Sequence, residues 1–404
     1  MIKRITVVAL VAALLLTIAS PIAANAESGI KVTDSFTEAV FPYLLTFNIE
    51  AESDAEINEI RLHYRVERDS FARVTSEVDV QFTAGKSVSV GWTMEMIKSG
   101  GFPAGTVIDY WWTLEDNAGS SLQTEIYQLQ FNDERYDWNS LTEGNISLYW
   151  YSGDQSFARQ IMDATQVAMQ RVTTDTGAYL EKPVRLYIYA SSQDLLGAII
   201  FPQEWTGGVA YTTFGVVAIG INENNIEWGK RAIVHELMHL VTHQVTHNPY
   251  NYLPVWLNEG LSMYAEGEMG YTFESYLQQA VLNDRLISVR SLSSPFSADA
   301  RISYQSYAQS MSLVEYLIEG YGQDKMLALL NTFRQGSTYD SALMQVYGFD
   351  MDGLNELWRE YIMAQYAPAA AGVSGTVSAA VLAAIAAAII LAGLVCNRLS
   401  WRRA

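Results

Sequence analysis

Residues 235–239 have the sequence His235-Glu236-Leu237-Met238-His239, which contains two of the five histidines in the chain. Four residues make close to one helical turn, so both imidazoles project from the same face of a helix and can bind one ion. Glu236 follows the first histidine directly, where its carboxylate reaches a water beside that ion rather than the ion itself. Because neutral imidazole is a good zinc ligand, the motif predicts a zinc-binding helix that also carries a general base.

A second motif follows 20 positions beyond His239 and centres on Glu259 in the sequence Trp256-Leu257-Asn258-Glu259-Gly260. The two motifs together resemble those of the gluzincins, the zinc metallopeptidases that include thermolysin-like peptidases and related aminopeptidases. The separation of the motifs is similar to the thermolysin-like one, whereas the second motif itself looks more like the aminopeptidase version. Residues 135–366 resemble, more particularly, the peptidase MA-like domains of bacterial and archaeal surface proteins.

This resemblance implies a function and a set of site residues. It implies one catalytic Zn²⁺ held by His235, His239 and Glu259, with Glu236 as the general base that activates a water. The implied substrate is a peptide or protein. A metzincin would instead place a third histidine six residues after the second, and Val245 stands there.

The resemblance also implies a tyrosine that stabilises the oxyanion formed when a peptide carbonyl is attacked. Related domains carry a run like Tyr307-Ala308-Gln309-Ser310 before a helix, which implies Tyr307 for this role. Tyr304, three residues earlier, is the alternative.

His243 and His247 continue the four-residue ladder begun by His235 and His239. They form either part of a larger metal cluster or a structural pair toward the end of the same helix. A catalytic zinc takes three protein ligands and keeps one position open, which favours the structural interpretation.

Residues 215–221 precede the histidine motif and form either an edge strand that pairs with an extended substrate or an ordinary core strand. The Gly-x-Met-Glu-Asn signature, with which the related aminopeptidases bind a free amino terminus, is absent from the sequence. This absence favours an endopeptidase.

The sequence predicts two folded domains. Residues 27–134 contain short runs of β-branched and aromatic residues separated by turn signals, which indicates an immunoglobulin-like or fibronectin-like β-sandwich. Residues 135–366 contain a few strands followed by helices, which indicates an α+β domain of the thermolysin-like type. The strands expected in the first domain are 44–49, 60–66, 74–82, 86–92, 107–114 and 125–131, and those in the second are 146–151, 184–189 and 216–221.

The two ends of the chain predict export and membrane anchoring. Residues 1–26 have a positive start, an apolar core and a small-x-small end, as in a signal peptide. After a linker at 367–372, the uncharged residues 373–396 are long enough for one transmembrane helix. The tail 397–404 contains three arginines, which indicates a cytoplasmic tail and places the two domains outside the cytoplasm at the cell membrane.

Charge limits the range of partners. Lysine and arginine number 25 against 44 acidic residues, a net charge of −19, so nucleic acid is not an expected partner. Two classes of function stay open at this point, a zinc peptidase and an inactive surface binding or adhesion protein that keeps the fold. Glu236 favours the peptidase, because a binding protein does not need a general base.

Overall fold

The computed structural model describes residues 29–202 and 207–366. The predicted signal peptide, the linker, the transmembrane segment 373–396 and the cytoplasmic tail lie outside these residues. None of the helices within the described ranges combines the length and the apolar character needed to span a bilayer.

The N-terminal part is one antiparallel sheet that folds over on itself. Its elements are β1 (Ile30–Val40), β2 (Leu44–Val66), β3 (Ser76–Asp79), β4 (Gly85–Glu95), helix α1 (Met96–Ser99), β5 (Thr106–Asp116), β6 (Ser121–Gln123) and β7 (Tyr127–Phe131). The first half of β2 pairs with β1 and β4, and the second half pairs with β3 and β5. The register of β2 against β4 breaks between Glu52 and Ile57, where β2 passes from one layer to the other.

The two layers face each other across an apolar core, as expected for a sandwich. Every second residue of β5 is buried, so one face of this strand points inward. The Phe47 ring of one layer meets Tyr110 of the other with ring centroids 5.1 Å apart. The Trp112 indole donates a hydrogen bond of 3.1 Å to the Ser35 hydroxyl of the opposite layer. The separate strands expected at 44–49 and 60–66 are two parts of the single strand β2.

A second sheet of five strands forms the centre of the molecule. The strands are β8 (Asn139–Glu143), β9 (Ile146–Trp150), β10 (Val184–Tyr189), β11 (Gly208–Tyr211) and β12 (Val216–Gly220). Strands β9, β10 and β12 are parallel, and β8 and β11 pair antiparallel at the two edges, in the order β11-β12-β10-β9-β8.

Helices cover one face of this sheet. They are α2 (Gln155–Thr176), α4 (Ile226–Thr246), α5 (Val255–Glu266), α6 (Tyr271–Leu282), α7 (Ala300–Tyr321), α8 (Gln323–Arg334), α9 (Tyr339–Tyr347) and α10 (Met351–Tyr366). The short helix α3 (Ser192–Leu196) differs, because its Leu195 packs into the core of the β-sandwich. Single 3₁₀ turns lie at Thr212–Phe214, Glu223–Asn225 and Ser291–Ser293. The two longest helices have side-chain caps at their starts. Asp154 accepts from the backbone N–H of Phe157 at the start of α2, and Asp299 accepts from that of Arg301 at the start of α7.

The central sheet is buried on both faces. Alternate side chains such as Leu186 and Ile219 pack against the helices, whereas Tyr189 and Ala218 point the other way into the core of the β-sandwich. At the junction, the buried Asp133 carboxylate accepts hydrogen bonds from the Arg135 guanidinium at 2.7 Å and from the Tyr189 hydroxyl at 3.1 Å. The two halves of the chain therefore meet in a common apolar core.

The position of β12 decides between the two interpretations of residues 215–221. All five residues of this strand are buried, and it lies between β10 and β11. It is thus a core strand. The edge beside the histidine helix is β11, a short strand that the sequence reasoning missed.

Candidate active site

Helix α4 carries the histidine motif along the border between the core and solvent. Its buried residues Ile233, Leu237, Leu240 and Val241 recur with helical spacing and fix one face of α4 in the core. His235, Glu236 and His239 lie on the partly exposed side. The apolar pattern therefore sets the rotation of the helix and aims the motif at the cleft.

Helix α5 brings Glu259 to the same place. Pro254, with φ −60° and ψ 141°, immediately precedes the helix. The Thr242 hydroxyl of α4 donates to the Asn258 amide oxygen at 2.8 Å, which fixes α5 against α4. Gly260 allows helix α7 to pass very close, because a Cβ at this position would overlap the carbonyl of Ser310. The glycine of the second motif is thus a packing requirement.

Three potential metal ligands converge between α4 and α5. The Glu259 Oε2 atom lies 3.4 Å from His235 Nε2 and 3.7 Å from His239 Nε2, and the three ligand atoms all lie within 4.8 Å of one another. Ligand atoms around a tetrahedral zinc with bonds of about 2.0–2.1 Å stand about 3.3 Å apart. Two imidazoles and a carboxylate at these separations fit one zinc ion.

Both histidines are oriented through their other ring nitrogen. His235 Nδ1 lies 2.8 Å from Glu266 Oε1, and His239 Nδ1 lies 3.2 Å from the Ser262 hydroxyl. Such contacts fix the ring and raise the basicity of the nitrogen that faces the metal. Sequence reasoning did not identify Glu266 or Ser262. Ser262 lies three residues and Glu266 seven residues beyond Glu259 on one helix, which places all three on one face and was the available signal.

The charges of this group compensate one another. Burial lowers the pKa of His235, but its hydrogen bonds to Glu259 and Glu266 outweigh burial and raise the pKa to about 10. Burial raises the pKa of Glu259, and the hydrogen bond from His235 outweighs it and lowers the pKa. Without a metal, a proton on His235 offsets part of the negative charge of the surrounding carboxylates. The cluster of His235, Glu259 and Glu266 therefore favours binding of a cation.

Glu236 lies between the three ligands and the edge strand β11. A Cβ at Gly208 would stand 3.0 Å from Glu236 Cγ and 3.2 Å from Oε1, so the glycine lets the strand pass directly over this side chain. Burial raises the pKa of Glu236, although His239 and His235 act in the opposite direction. The carboxylate is thus held in a poorly hydrated position beside the three ligands.

The two tyrosines considered for oxyanion stabilisation differ in position. Tyr307 lines the cleft beside His235, with ring centroids 6.4 Å apart. Tyr304 is 40% exposed and stacks on Tyr276 at 5.5 Å. Only the Tyr307 side chain belongs to the surface of the cleft around the histidine motif.

A cleft extends from Glu236 in both directions along β11. On one side its walls include Val209, His239 and Tyr252, and on the other they include Trp228 and Tyr307. Gly208 and Glu236 belong to both sides. An extended chain can therefore lie across the site.

Residues 164–364 match the sequence profile of the Peptidase MA superfamily. Among solved structures, the M1 zinc metallopeptidase from Deinococcus radiodurans is similar over 84% of this chain and 95% of its own, at 12% identity and a TM-score of 0.36. An aminopeptidase N family protein from Idiomarina loihiensis is similar over 82% of this chain and 70% of its own, at 9% identity and a TM-score of 0.29. A β-1,3-glucan binding domain of carbohydrate-binding module family 56 is similar over 24% of this chain and 95% of its own, at 13% identity and a TM-score of 0.16. No curated protein matches the chain.

We predict that Glu266→Gln weakens zinc binding about 10–100-fold, because the carboxylate that orients His235 is lost. Competition with a chromophoric chelator measures the affinity. Glu268→Gln is the matched control, since Glu268 lines the same side of the cleft but is exposed. Equal affinities in the two variants would contradict a role for Glu266 in orienting the ligand.

Proposed function

We propose that this chain, whose residues 164–364 form a gluzincin-like domain of the Peptidase MA superfamily, is a zinc-dependent peptidase. The observation that carries the proposal is the convergence of His235, His239 and Glu259 beside a shielded glutamate in an open cleft. A purely adhesive protein has no use for Glu236 at this position, because burial of an acid costs free energy and must be offset elsewhere.

The three ligands would hold the zinc, and the zinc when bound supplies Lewis-acid polarisation of the scissile carbonyl and of a water. Glu236 accepts the proton of that water as it attacks the carbonyl, and then delivers the proton to the leaving amine. Burial raises the pKa of Glu236, which makes its carboxylate a stronger base than an exposed glutamate.

Tyr307 donates a hydrogen bond to the oxygen of the attacked carbonyl as negative charge develops there. Burial raises the pKa of its hydroxyl, and the neighbouring Glu259 and Glu236 raise it further. The hydroxyl thus stays protonated at neutral pH and remains available as a donor.

The substrate is proposed to lie along β11 as an additional strand. Edge strands bind extended peptides through backbone hydrogen bonds. Strand β11 contains Gly208, Val209, Ala210 and Tyr211, which offer no acidic side chain to a free amino terminus. The cleft also continues on both sides of Glu236. These features favour cleavage within a chain, that is, an endopeptidase.

We also propose that the enzyme is exported and anchored in the cell membrane by residues 373–396, with the peptidase domain outside the cytoplasm. The support is the uncharged segment followed by arginines. A tag after Ala404 is then protected from external protease in intact cells, whereas a tag inserted in the exposed turn at Gly119 is digested. Digestion of the C-terminal tag in intact cells would reverse this topology.

Glu236→Gln is expected to keep its zinc and to lower hydrolysis at least about a hundredfold, because only the basic carboxylate is lost. Steady-state kinetics are measured on a peptide that is acetylated at its amino end and amidated at its carboxyl end. Cleavage of this peptide by the wild type supports the endopeptidase proposal. Glu227→Gln, an exposed acid on the same helix, is the control. Full activity of zinc-loaded Glu236→Gln would exclude the mechanism, and an inactive zinc-loaded wild type would favour the adhesive alternative.

Tyr307→Phe is expected to lower kcat by about 10²–10³-fold with little change in KM, because an oxyanion contact strengthens in the transition state. Tyr304→Phe, which removes a hydroxyl from the outside of the cleft, is the matched control and should keep its kcat. The same blocked peptide serves as substrate. An unchanged kcat in Tyr307→Phe would move the oxyanion role to another donor.

A further inference from the structure

We propose that Asp69, His243 and His247 form a second divalent metal site, here named the bridging site, which joins the β-sandwich to the catalytic helix. Asp69 lies in the loop between β2 and β3, and the two histidines lie on or directly after the last turn of α4. The proposal does not depend on the catalytic zinc, because it shares no ligand with His235, His239 and Glu259.

The three ligand atoms surround a common point. Asp69 Oδ2 lies 3.7 Å from His243 Nε2 and 3.8 Å from His247 Nδ1, and the two nitrogens are 2.8 Å apart. These separations fall on either side of the roughly 3.3 Å expected between ligands of a tetrahedral zinc. The side chains are 13%, 17% and 28% exposed for His243, His247 and Asp69, so water reaches the point only in part.

Hydrogen bonding among these groups does not account for the arrangement. One proton can lie between the two imidazole nitrogens, but the distances of both to Asp69 Oδ2 exceed those of a hydrogen bond. The Asp69 carboxylate oxygen thus faces the two ring nitrogens without a hydrogen bond to either. A cation at the centre would bind all three atoms.

The Asp69 carboxylate is held in a position to bind a metal. Its other oxygen, Oδ1, accepts from the Lys182 ammonium at 2.9 Å, as ligating carboxylates commonly do. The Asp69 backbone N–H donates to the carbonyl of Thr213 at 2.6 Å, which fixes the loop next to β11. The charge of Lys182 opposes a cation, but this side chain is 57% exposed and its field is screened by water.

His243 is in the neutral form that binds metals. Burial lowers the pKa of His243 to about 4, and the neighbouring His247 contributes in the same direction. His243 is thus neutral at neutral pH and gives up no proton on binding. The Phe71 ring packs on His247 with centroids 4.2 Å apart and covers the site. Two imidazoles and one carboxylate favour zinc or a similar transition metal over calcium or magnesium.

The bridging site has a structural role. Its histidines lie eight residues beyond the catalytic pair on one helix, a distance of about 12 Å at 1.5 Å per residue. Two-metal catalysis needs ions about 3.5–4 Å apart, so the second ion does not join the reaction. It would instead fasten the loop of the β-sandwich, including Phe71, as one wall of the substrate cleft.

Zinc content of the full-length chain tests the proposal. Mass spectrometry of the metal is expected to give two zinc ions per wild-type chain, and one in the double variant His243→Ala/His247→Ala. Glu259→Ala is also expected to retain one, which would be the bridging ion. The control is His63→Gln, which changes a histidine near the single carboxylate Glu77 and should leave two ions.

The variants separate failure of the two proposals. A wild type with one zinc that disappears in Glu259→Ala would overturn the bridging site and leave the catalytic site intact. Two ions in the double histidine variant would also overturn it. Two ions in Glu259→Ala would contradict the catalytic site alone.

Proteolysis provides a readout independent of metal content. The exposed Arg68 and Arg73 flank Asp69 and Phe71 and are sites for trypsin. Zinc at about tenfold over its dissociation constant should slow cleavage there about tenfold in the wild type. Asp69→Asn keeps the shape of the side chain and should lose this protection. Equal protection in Asp69→Asn, or none in the wild type, would overturn the proposed fastening of the loop.

Discussion

The close approach of helices α5 and α7 at Gly260 is the constraint on which the site depends. The backbones of the two helices are in contact there, so a Cβ at residue 260 would overlap the Ser310 carbonyl. Glu259 precedes this point on α5, and Tyr307 lies one turn before it on α7. A wider separation would draw both side chains away from the histidines of α4. A single missing Cβ thus sets the distance between Glu259 and Tyr307, which come from different helices.

The electrostatics of the site follow from this packing. Glu236, Glu259 and Glu266 surround His235 in a region with little water, where like charges repel strongly. The protein balances them with a proton on His235, and a metal that binds the imidazole replaces this proton. Burial raises the pKa of the Tyr307 hydroxyl, and the same carboxylates raise it further. The pKa values of this cluster are therefore set by burial together with the neighbouring charges of the cluster itself.

The sequence predicted what local spacing determines. The sequence predicted the spacing of the histidines, the helix that carries them and the strand-rich first third of the chain. These features depend on periodicity and residue type over only a few residues. The match of residues 164–364 to the Peptidase MA superfamily confirms the gluzincin resemblance. The particular roles of His235, His239, Glu259, Glu236 and Tyr307 remain predictions.

What the sequence did not predict depends on contacts between distant segments. Strand β11 has four half-buried residues and no distinct pattern, and it is a strand because β12 offers a free edge. Asp69 lies in a loop without regular structure, so nothing local connects it with α4. The sequence left the edge and core interpretations of β12 equally open, and its pairing with β10 and β11 decides for the core. The continuity of β2 through both layers likewise depends on its pairing with β1 and β4 in one layer and with β3 and β5 in the other.

The burial of both faces of the central sheet has a consequence for how such proteins evolve. Tyr187, Tyr189, Val216 and Ala218 point away from the catalytic helices and into the β-sandwich. A gene rearrangement that joined residues 135–366 to a different neighbour would leave this surface bare and prone to aggregation. Retaining the β-sandwich avoids that cost. The sequence of the β-sandwich is therefore constrained by this interface as well as by its own core.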